Sequence, residues 1–317
     1  MDEFLLIDTF FKSIPVSRTD VHVGIGDDAA CLKIPSNTDL LVTTDTLIDG
    51  VHFLKAWSPY DIAYRSVMVN VSDIAAMGGA PSWMTLALTL PDIDESWLHS
   101  FSSGLKDAAG KYHIALVGGD TTRGPLSITI TMHGFVPQGK AVRRIDAKPN
   151  DKIYVSGELG AAALAVNFLT NDGLSETDRA VLMKQLWHPT PRVDLGEALL
   201  KDASAAIDIS DGLSADLNHL CRGSGVGALI QAKAVPIHPL VLEHQKTAAL
   251  DFVLGGGDDY ELCFTIPPKN ESSFRRWLIK KELTCYCIGV IEAEPGLRLQ
   301  ISDGSIQSLA VSGYNHF

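Results

Sequence analysis

Nowhere in its 317 residues does the chain carry a GxxxxGK[ST] phosphate loop, a CxxC pair or the acidic loop of an EF-hand. These absences remove P-loop nucleotide enzymes, paired-cysteine zinc sites and calcium modules from consideration. The five cysteines, Cys31, Cys221, Cys263, Cys285 and Cys287, are odd in number and lack zinc spacing to the histidines, so reduced thiols are expected. Basic residues are scarce: 26 Lys and Arg stand against 38 Asp and Glu, a formal charge of -12. Only short clusters such as Arg143-Arg144 and Arg275-Arg276 interrupt that balance, which predicts no nucleic-acid partner and no anionic membrane surface. No apolar run approaches the roughly 18 residues of a membrane span, and the start, MDEFLLIDTFF, has acids where a signal peptide has a basic region; a cytoplasmic protein is expected. Long repeats and low-complexity segments are absent too.

What is present fits an α/β protein of two domains, since this length favours about 150 residues in each. The segment Asp146-Ala-Lys-Pro-Asn-Asp151 combines proline, charge and turn formers between two predicted strands. It places the boundary, giving an N-terminal domain over 1–147 and a C-terminal α/β domain over 148–317. Helices are expected over 2–13, 59–77, 94–112, 161–169, 190–200, from Gly212 onward and over 271–281. Strands are expected over 29–34, 40–46, 83–90, 113–117, 126–136, 153–156, 205–209 and 262–266, with two short ones near the end.

Chemistry concentrates on acids. In VGIGDDAA, residues 23–30, two glycines free the backbone and the adjacent Asp27 and Asp28 repel each other. Asp45, Asp73, Asp120, Asp208 and Asp211 each fall at the end of a predicted element. Read as one set, they are hard oxygen donors for Mg²⁺, and because Mg²⁺ usually bridges to phosphate, they point to nucleotide chemistry. Gly24 to Ala29 can be forced onto a dinucleotide fingerprint with Asp45 as the ribose acid. That motif opens a helix, whereas here a strand follows.

Around these acids the local readings stay two-sided. In LLVTTDT, residues 40–46, alternation puts Thr43 and Asp45 on one face and Thr44 on the other, and a frayed strand end would let all three reach one ion. His52 reads as a half-buried histidine or as a substrate contact. The helix over 59–77, capped by Ser58-Pro59 and stopped by Gly78-Gly79, carries Asn70 and Asp73 on one face of an apolar stretch. Either they bond a neighbouring turn or Asp73 faces the metals. Gly118-Gly119-Asp120-Thr121-Thr122-Arg123 reads as a phosphate-holding turn at a strand's end or as a plain turn. Gly157-Glu158-Leu159-Gly160 precedes a helix whose N-terminus could seat a phosphate. Asp208, Ser210 and Asp211 bracket one strand-to-helix turn; Asp216 reads equally as a surface residue and is left out. LGGGDDYE, residues 254–261, repeats the glycine and paired-acid theme.

In order along the chain, GIGDDAA, TTDTLIDGVHF, NVSDIAAMGG, GGDTTRG, AIDISDGL and GGGDDYELCF together resemble the bacterial thiamine-monophosphate kinase family. VSDIAAMG, GGDTTRG and the closing GYxHF are particular to it within a superfamily that also contains aminoimidazole ribonucleotide synthetase, whose ATP-dependent chemistry is the alternative. The resemblance implies the two-domain aminoimidazole ribonucleotide synthetase-like fold, an N-terminal sheet that pairs across a homodimer, several Mg²⁺ ions, and direct transfer of the γ-phosphate of ATP to thiamine monophosphate. It puts metal ligands at Asp28, Thr43, Thr44, Asp45, Asp73, Asp120, Asp208 and Asp211, and nucleotide contacts at Gly119, Asp120, Arg144 and Ser210. Substrate contacts fall at His52, Asp258 and Tyr314. Position 258 departs from the family, which usually has glutamate there.

Overall fold

The computed structural model describes residues 2–12, 14, 18–171 and 173–316. They form two compact units, one of Met1–Ala75 and Gly79–Ala141, the other of Ala76–Gly78 and Val142–Phe317.

The first unit opens with α1 (Glu3–Leu6), where the Asp2 carboxylate accepts from the Leu5 N–H at 2.8 Å, and runs on as a π-helical turn over Ile7–Phe11. The expected helix end at Ser13 lies outside the described residues. Leu6, Phe10 and Phe11 are buried while Phe4 stays 78% exposed, so the all-round apolar stretch docks by one face. Around the Gly-Asp-Asp loop, β1 (Val21–Val23) and β2 (Cys31–Leu32) pair antiparallel, which confirms a strand after the loop and no helix.

The main sheet of this unit alternates with two helices: β3 (Thr38–Ile48), α2 (Pro59–Ala76), β4 (Ala80–Leu90), α3 (Glu95–Lys111), β5 (Ala115–Arg123) and β6 (Ser127–Pro137). Its order is β3-β6-β4-β5, with β4 and β5 parallel and the other pairs antiparallel. α2 starts where the Ser58 carbonyl accepts from the Ile62 N–H. It stops where Gly78 turns to φ +76° and the Gly79 N–H closes on the Ile74 carbonyl at 2.9 Å, a Schellman-type end. Asp94 caps α3 by accepting from the N–H groups of Ser96 and Trp97. One face of the sheet buries Leu86, Leu88, Ile128, Ile130 and Met132, whereas the other leaves Leu40, Val42 and Ile48 of β3 exposed.

One expectation fails here. The strand predicted to end at Val117 continues through Gly118-Gly119-Asp120-Thr121-Thr122-Arg123, paired with β4 across a register shift at Met84/Thr85. No turn forms, because β4 offers a partner for every residue from 118 to 123.

The second unit contains β7 (Lys152–Val155), α4 (Ala161–Asn167), α5 (Glu176–Trp187), α6 (Val193–Asp202), β8 (Ala205–Asp208), α7 (Leu213–Ser224), β9 (Gly227–Gln231), α8 (Pro239–Gln245), α9 (Ala249–Gly255), β10 (Leu262–Ile266), α10 (Pro268–Lys281), β11 (Tyr286–Glu292), β12 (Gly296–Gln300) and β13 (Ile306–Ser308). Its strands lie in the order β13-β12-β9-β11-β7-β10-β8. Tyr154, Leu199, Ala206, Leu262, Phe264 and Phe274 knit sheet and helices into one core. Sequence reading did not foresee α5, β9, α8 or α9. α5 buries only Leu182, Met183 and Leu186 among polar neighbours, too thin a stripe to announce itself by periodicity.

Gly104 on α3 meets the backbone of Tyr60, and a Cβ there would lie 2.2 Å from the Tyr60 carbonyl oxygen. Because both contacts are backbone, Gly104→Ala must push the helices apart. We expect a loss of about 1–3 kcal/mol, read as a lower urea midpoint with unchanged slope; an unaltered midpoint would mean that α3 shifts freely.

Candidate functional site

In the first unit, pairing of β3 with β6 runs unbroken from Thr38 to Ile48, so the strand end does not fray and alternation holds. Thr44 and Thr46 face outward, their hydroxyls bonded to Thr131 and Thr129 at 2.9 Å. Thr43 and Asp45 face α2, where the Thr43 hydroxyl donates to Asp73 at 2.5 Å. Burial first, and then the charge of Asp73, pushes the Asp45 carboxyl up to about 6. Asn70, the other polar residue of that helix face, donates within α2 to the Ser66 carbonyl at 3.0 Å, while its own side-chain oxygen is buried with no hydrogen-bond partner among the described residues. The side chain of Thr44 therefore does not join Thr43 and Asp45. His52 is half-buried and its Nδ1 accepts from the Ile48 N–H at 3.1 Å, fixing the ring at the end of β3.

Asp28 and Asp120 line one cavity elsewhere in the same unit. A cavity of about 680 Å³ is lined by Asp27, Asp28, Gly118, Gly119 and Asp120, with Phe4 and Phe11 on its apolar side. Gly119 is forced by strand packing, since at φ +156° a Cβ would lie 1.8 Å from the Leu86 carbonyl oxygen. Pairing aligns Asp45 with Ile130, Leu86 and Gly119 across the four strands. At about 4.8 Å per strand, Asp45 and Gly119 are on the order of 14 Å apart. The acids of this unit thus stand in two places and not in one compact cluster.

In the second unit, Asp208 ends β8, and Ser210 and Asp211 occupy the turn before α7. The Asp258 N–H donates to the Ser210 carbonyl and the Tyr314 N–H to the Asp211 carbonyl, bringing Ser210, Asp211, Asp258 and Tyr314 together. Asp258 sits at φ +69°, a conformation aspartate tolerates better than longer side chains, and accepts from the Tyr260 hydroxyl at 3.1 Å. Tyr314 is 52% exposed. The Arg144 backbone stands apart from this group, its carbonyl accepting from Ser224 at the far end of α7, about 18 Å along a helix of this length.

The phosphate seat expected at Gly157 to Gly160 does not exist. The Gly160 N–H donates to Asp259 at 2.7 Å, and Glu261 fills the space a side chain at Gly157 would take. The Gly160 amide and the space beside Gly157 are thus already taken by carboxyl groups of the chain. Sequence reading also missed Asp216, only 3% exposed, whose Oδ2 accepts from the N–H groups of Ser210, Asp211 and Gly212 at 3.1 Å each. Burial and then the Asp211 charge push its carboxyl up to about 7, against the pull of those N–H groups. The signal was available: Gly212 brings no capping side chain, and an acid one turn into a helix can reach back.

The oxygens at Asp45, Asp73 and Thr43 suit a hard divalent cation, because a half-buried carboxylate beside a like charge is relieved by one. Among the described residues no group of three His, Cys, Asp or Glu side chains is close enough to hold an ion.

Models of the AIR synthase related protein match this chain, the N-terminal domain over residues 26–136 and the C-terminal domain over 148–302. Thiamine-monophosphate kinase of Escherichia coli (strain K12) is 45% identical over 318 residues, 99% of this chain and 98% of that protein. The crystal structure of thiamine-monophosphate kinase from Stenotrophomonas maltophilia K279a is similar with a TM-score of 0.87 at 42% identity, covering 96% of this chain and 98% of that one. AaThiL complexed with AMPPCP and TMP gives a TM-score of 0.79 at 32% identity over 99% of this chain and 97% of that one. The expected two-domain α/β fold of the aminoimidazole ribonucleotide synthetase type is therefore present.

The raised Asp45 carboxyl has a sign that can be measured. Between pH 3.8, its ordinary value, and about 6, the folded chain keeps a proton that the unfolded chain has lost, so this residue's contribution to stability falls as pH rises through that window. In EDTA, Asp45→Asn should raise Tm at pH 8 by about 2–4 °C and leave it unchanged at pH 3.5. Thermal scans showing the same difference at both values would separate the effect from charge.

Proposed function

The chain belongs to the thiamine-monophosphate kinase family, and from that membership we propose that it transfers the γ-phosphate of ATP to the phosphate of thiamine monophosphate, giving thiamine diphosphate and ADP. The observation that carries this reading is the likeness to such kinases from end to end, through both units. Donor and acceptor are both phosphates and repel each other, so the protein's work is to neutralise charge and to align. The acceptor's second pKa, about 6, leaves it ionised near neutral pH, and no general base or phosphoenzyme is assigned.

Bound Mg²⁺ would supply positive charge at the phosphate oxygens. We assign its ligands to Asp28, Thr43, Thr44, Asp45, Asp73 and Asp120 in the first unit and to Asp208 and Asp211 in the second. What supports the first group is the Asp45–Asp73 pairing and the shared cavity of Asp28 and Asp120; Thr44 is the weakest member, its hydroxyl being turned to Thr131. Gly119, Asp120, Arg144 and Ser210 are assigned to the nucleotide. His52, Asp258 and Tyr314 are assigned to the thiamine moiety, with a water bridging the methylene that Asp258 lacks relative to glutamate. A homodimer is supported by the uncovered face of the first unit's sheet, where Leu40, Val42 and Ile48 lie exposed. No helix among the described residues is long and apolar enough to cross a membrane, and we place the protein in the cytoplasm.

A coupled ADP-release assay with thiamine monophosphate, with and without MgCl₂, tests the reading; ADP release with formylglycinamidine ribonucleotide instead would assign the chain to the ring-closing synthetases. Asp73→Asn should lower turnover at least about 100-fold with Tm retained, a loss of some 2.7 kcal/mol in transition-state stabilisation. Near-normal turnover would remove Asp73 from the site. Arg144→Ala should raise KM for ATP about tenfold and leave kcat within twofold, and an unchanged KM would refute that contact.

A further inference from the structure

The turn between β8 and α7 has a complete backbone account. The Ile209 N–H donates to Glu261, and the carbonyls of Ile209, Ser210 and Asp211 accept from Tyr260, Asp258 and Tyr314. The Gly212 carbonyl accepts from the Asp216 N–H at 3.0 Å, the first bond of the helix. The three remaining donors, at Ser210, Asp211 and Gly212, all converge on Asp216 Oδ2. Successive N–H groups converging at a helix start form the kind of concavity that elsewhere binds a phosphate. Here the protein fills it with its own carboxylate.

This differs from ordinary capping. An N-cap side chain reaches forward to the second or third residue of its helix, but position 212 has no room for one. A Cβ there would stand 3.0 Å from the Gly255 backbone, and the conformation, φ +127°, disfavours any side chain. Asp216 instead reaches backward and ties down residues that precede the helix. The same turn is wedged from outside, since a Cβ on Gly257 would lie 2.2 Å from the Ser210 carbonyl and one on Gly313 2.8 Å from that of Asp211.

We propose that Asp216 is a positioning residue: its oxygen locks the 209–212 turn, so that this turn offers nucleotide and metal only the side chains of Asp208, Ser210 and Asp211 and none of its amides. The proposal rests on the kinase reading for the identity of the nucleotide. Asp216 touches neither substrate nor metal; it acts through the three residues it holds in place.

The test uses the full chain, with calorimetric binding of a non-hydrolysable ATP analogue in MgCl₂, half-saturation by Mg²⁺, and amide hydrogen exchange. In the unaltered protein the amides of Ser210, Asp211 and Gly212 should be strongly protected without ligand. Asp216→Asn keeps a carbonyl oxygen as acceptor and should stay within about threefold in both binding measures. Asp216→Ala should lose protection at those three amides and weaken nucleotide and Mg²⁺ binding about tenfold or more, whereas general destabilisation would reduce the active fraction without moving either constant. Wild-type binding constants in Asp216→Ala, or Asn as damaging as Ala, would overturn the proposal. Should the Ala variant not fold, unprotected amides in the unaltered protein or a damaged Asn variant would do the same. A chain that binds the analogue yet releases no ADP with thiamine monophosphate would sink the kinase reading and leave this one standing.

Discussion

Two carboxylates held close, one on a strand and one on a helix, are the constraint around which the candidate site of the first unit is built. Asp45 and Asp73 come from different elements, a strand and a helix, and meet only because β3 stays in register with β6 while α2 lies on the face that Asp45 shares. At the same place the Thr43 hydroxyl donates to Asp73, tying α2 to β3. Two half-buried carboxylates side by side are a place where a bound divalent cation would relieve the repulsion, which is the reading proposed above.

Several acids of the second unit are held by groups of the chain itself. Glu261 is held by a bidentate Arg192 and by the Ser156 hydroxyl. Asp216 is held by three backbone amides, and Asp259 by the Gly160 N–H, although burial still raises its carboxyl well above the usual range. Acids answered from inside the chain shape turns and helix starts. This separates two kinds of aspartate that look identical in GGGDDYE and GIGDDAA. In the first passage Asp259 is part of the wall between β7 and α4, while in the second Asp27 and Asp28 lie exposed on a hairpin loop.

That division explains how much was legible in the residues alone. The element carrying Asp45 was readable, because β-branched alternation in LLVTTDT has one physical solution, and so was α2, whose Ser58-Pro59 start and Gly78-Gly79 end are local chemistry. The face shared by Asp45 and Asp73 was half-readable: period two and period 3.6 each assign a side, but only the sheet order says that the two sides meet. Gly118-Gly119 misled, since glycine freedom and glycine crowding leave the same letters, and only the approach of Leu86 tells them apart. Asp216 was missed for the corresponding reason. Its role is set by the missing side chain at Gly212 and by the Gly255 backbone pressed against it, a contact 43 residues away in sequence.

Glycine-rich turns invite a phosphate reading because exposed amides bind anions, yet at two such turns of the second unit the amides are already engaged. At Gly160 the donor is taken by Asp259, and at Ser210, Asp211 and Gly212 by Asp216. A nucleotide approaching those turns meets carboxylates where a P-loop would present N–H groups. Those amides are not offered to its phosphates, so under the proposed reading their binding falls to metal and cationic side chains. On that reading the excess of acids over lysine and arginine leaves metal the larger share of the positive charge, and the acidic composition and the closed amides become two expressions of one requirement.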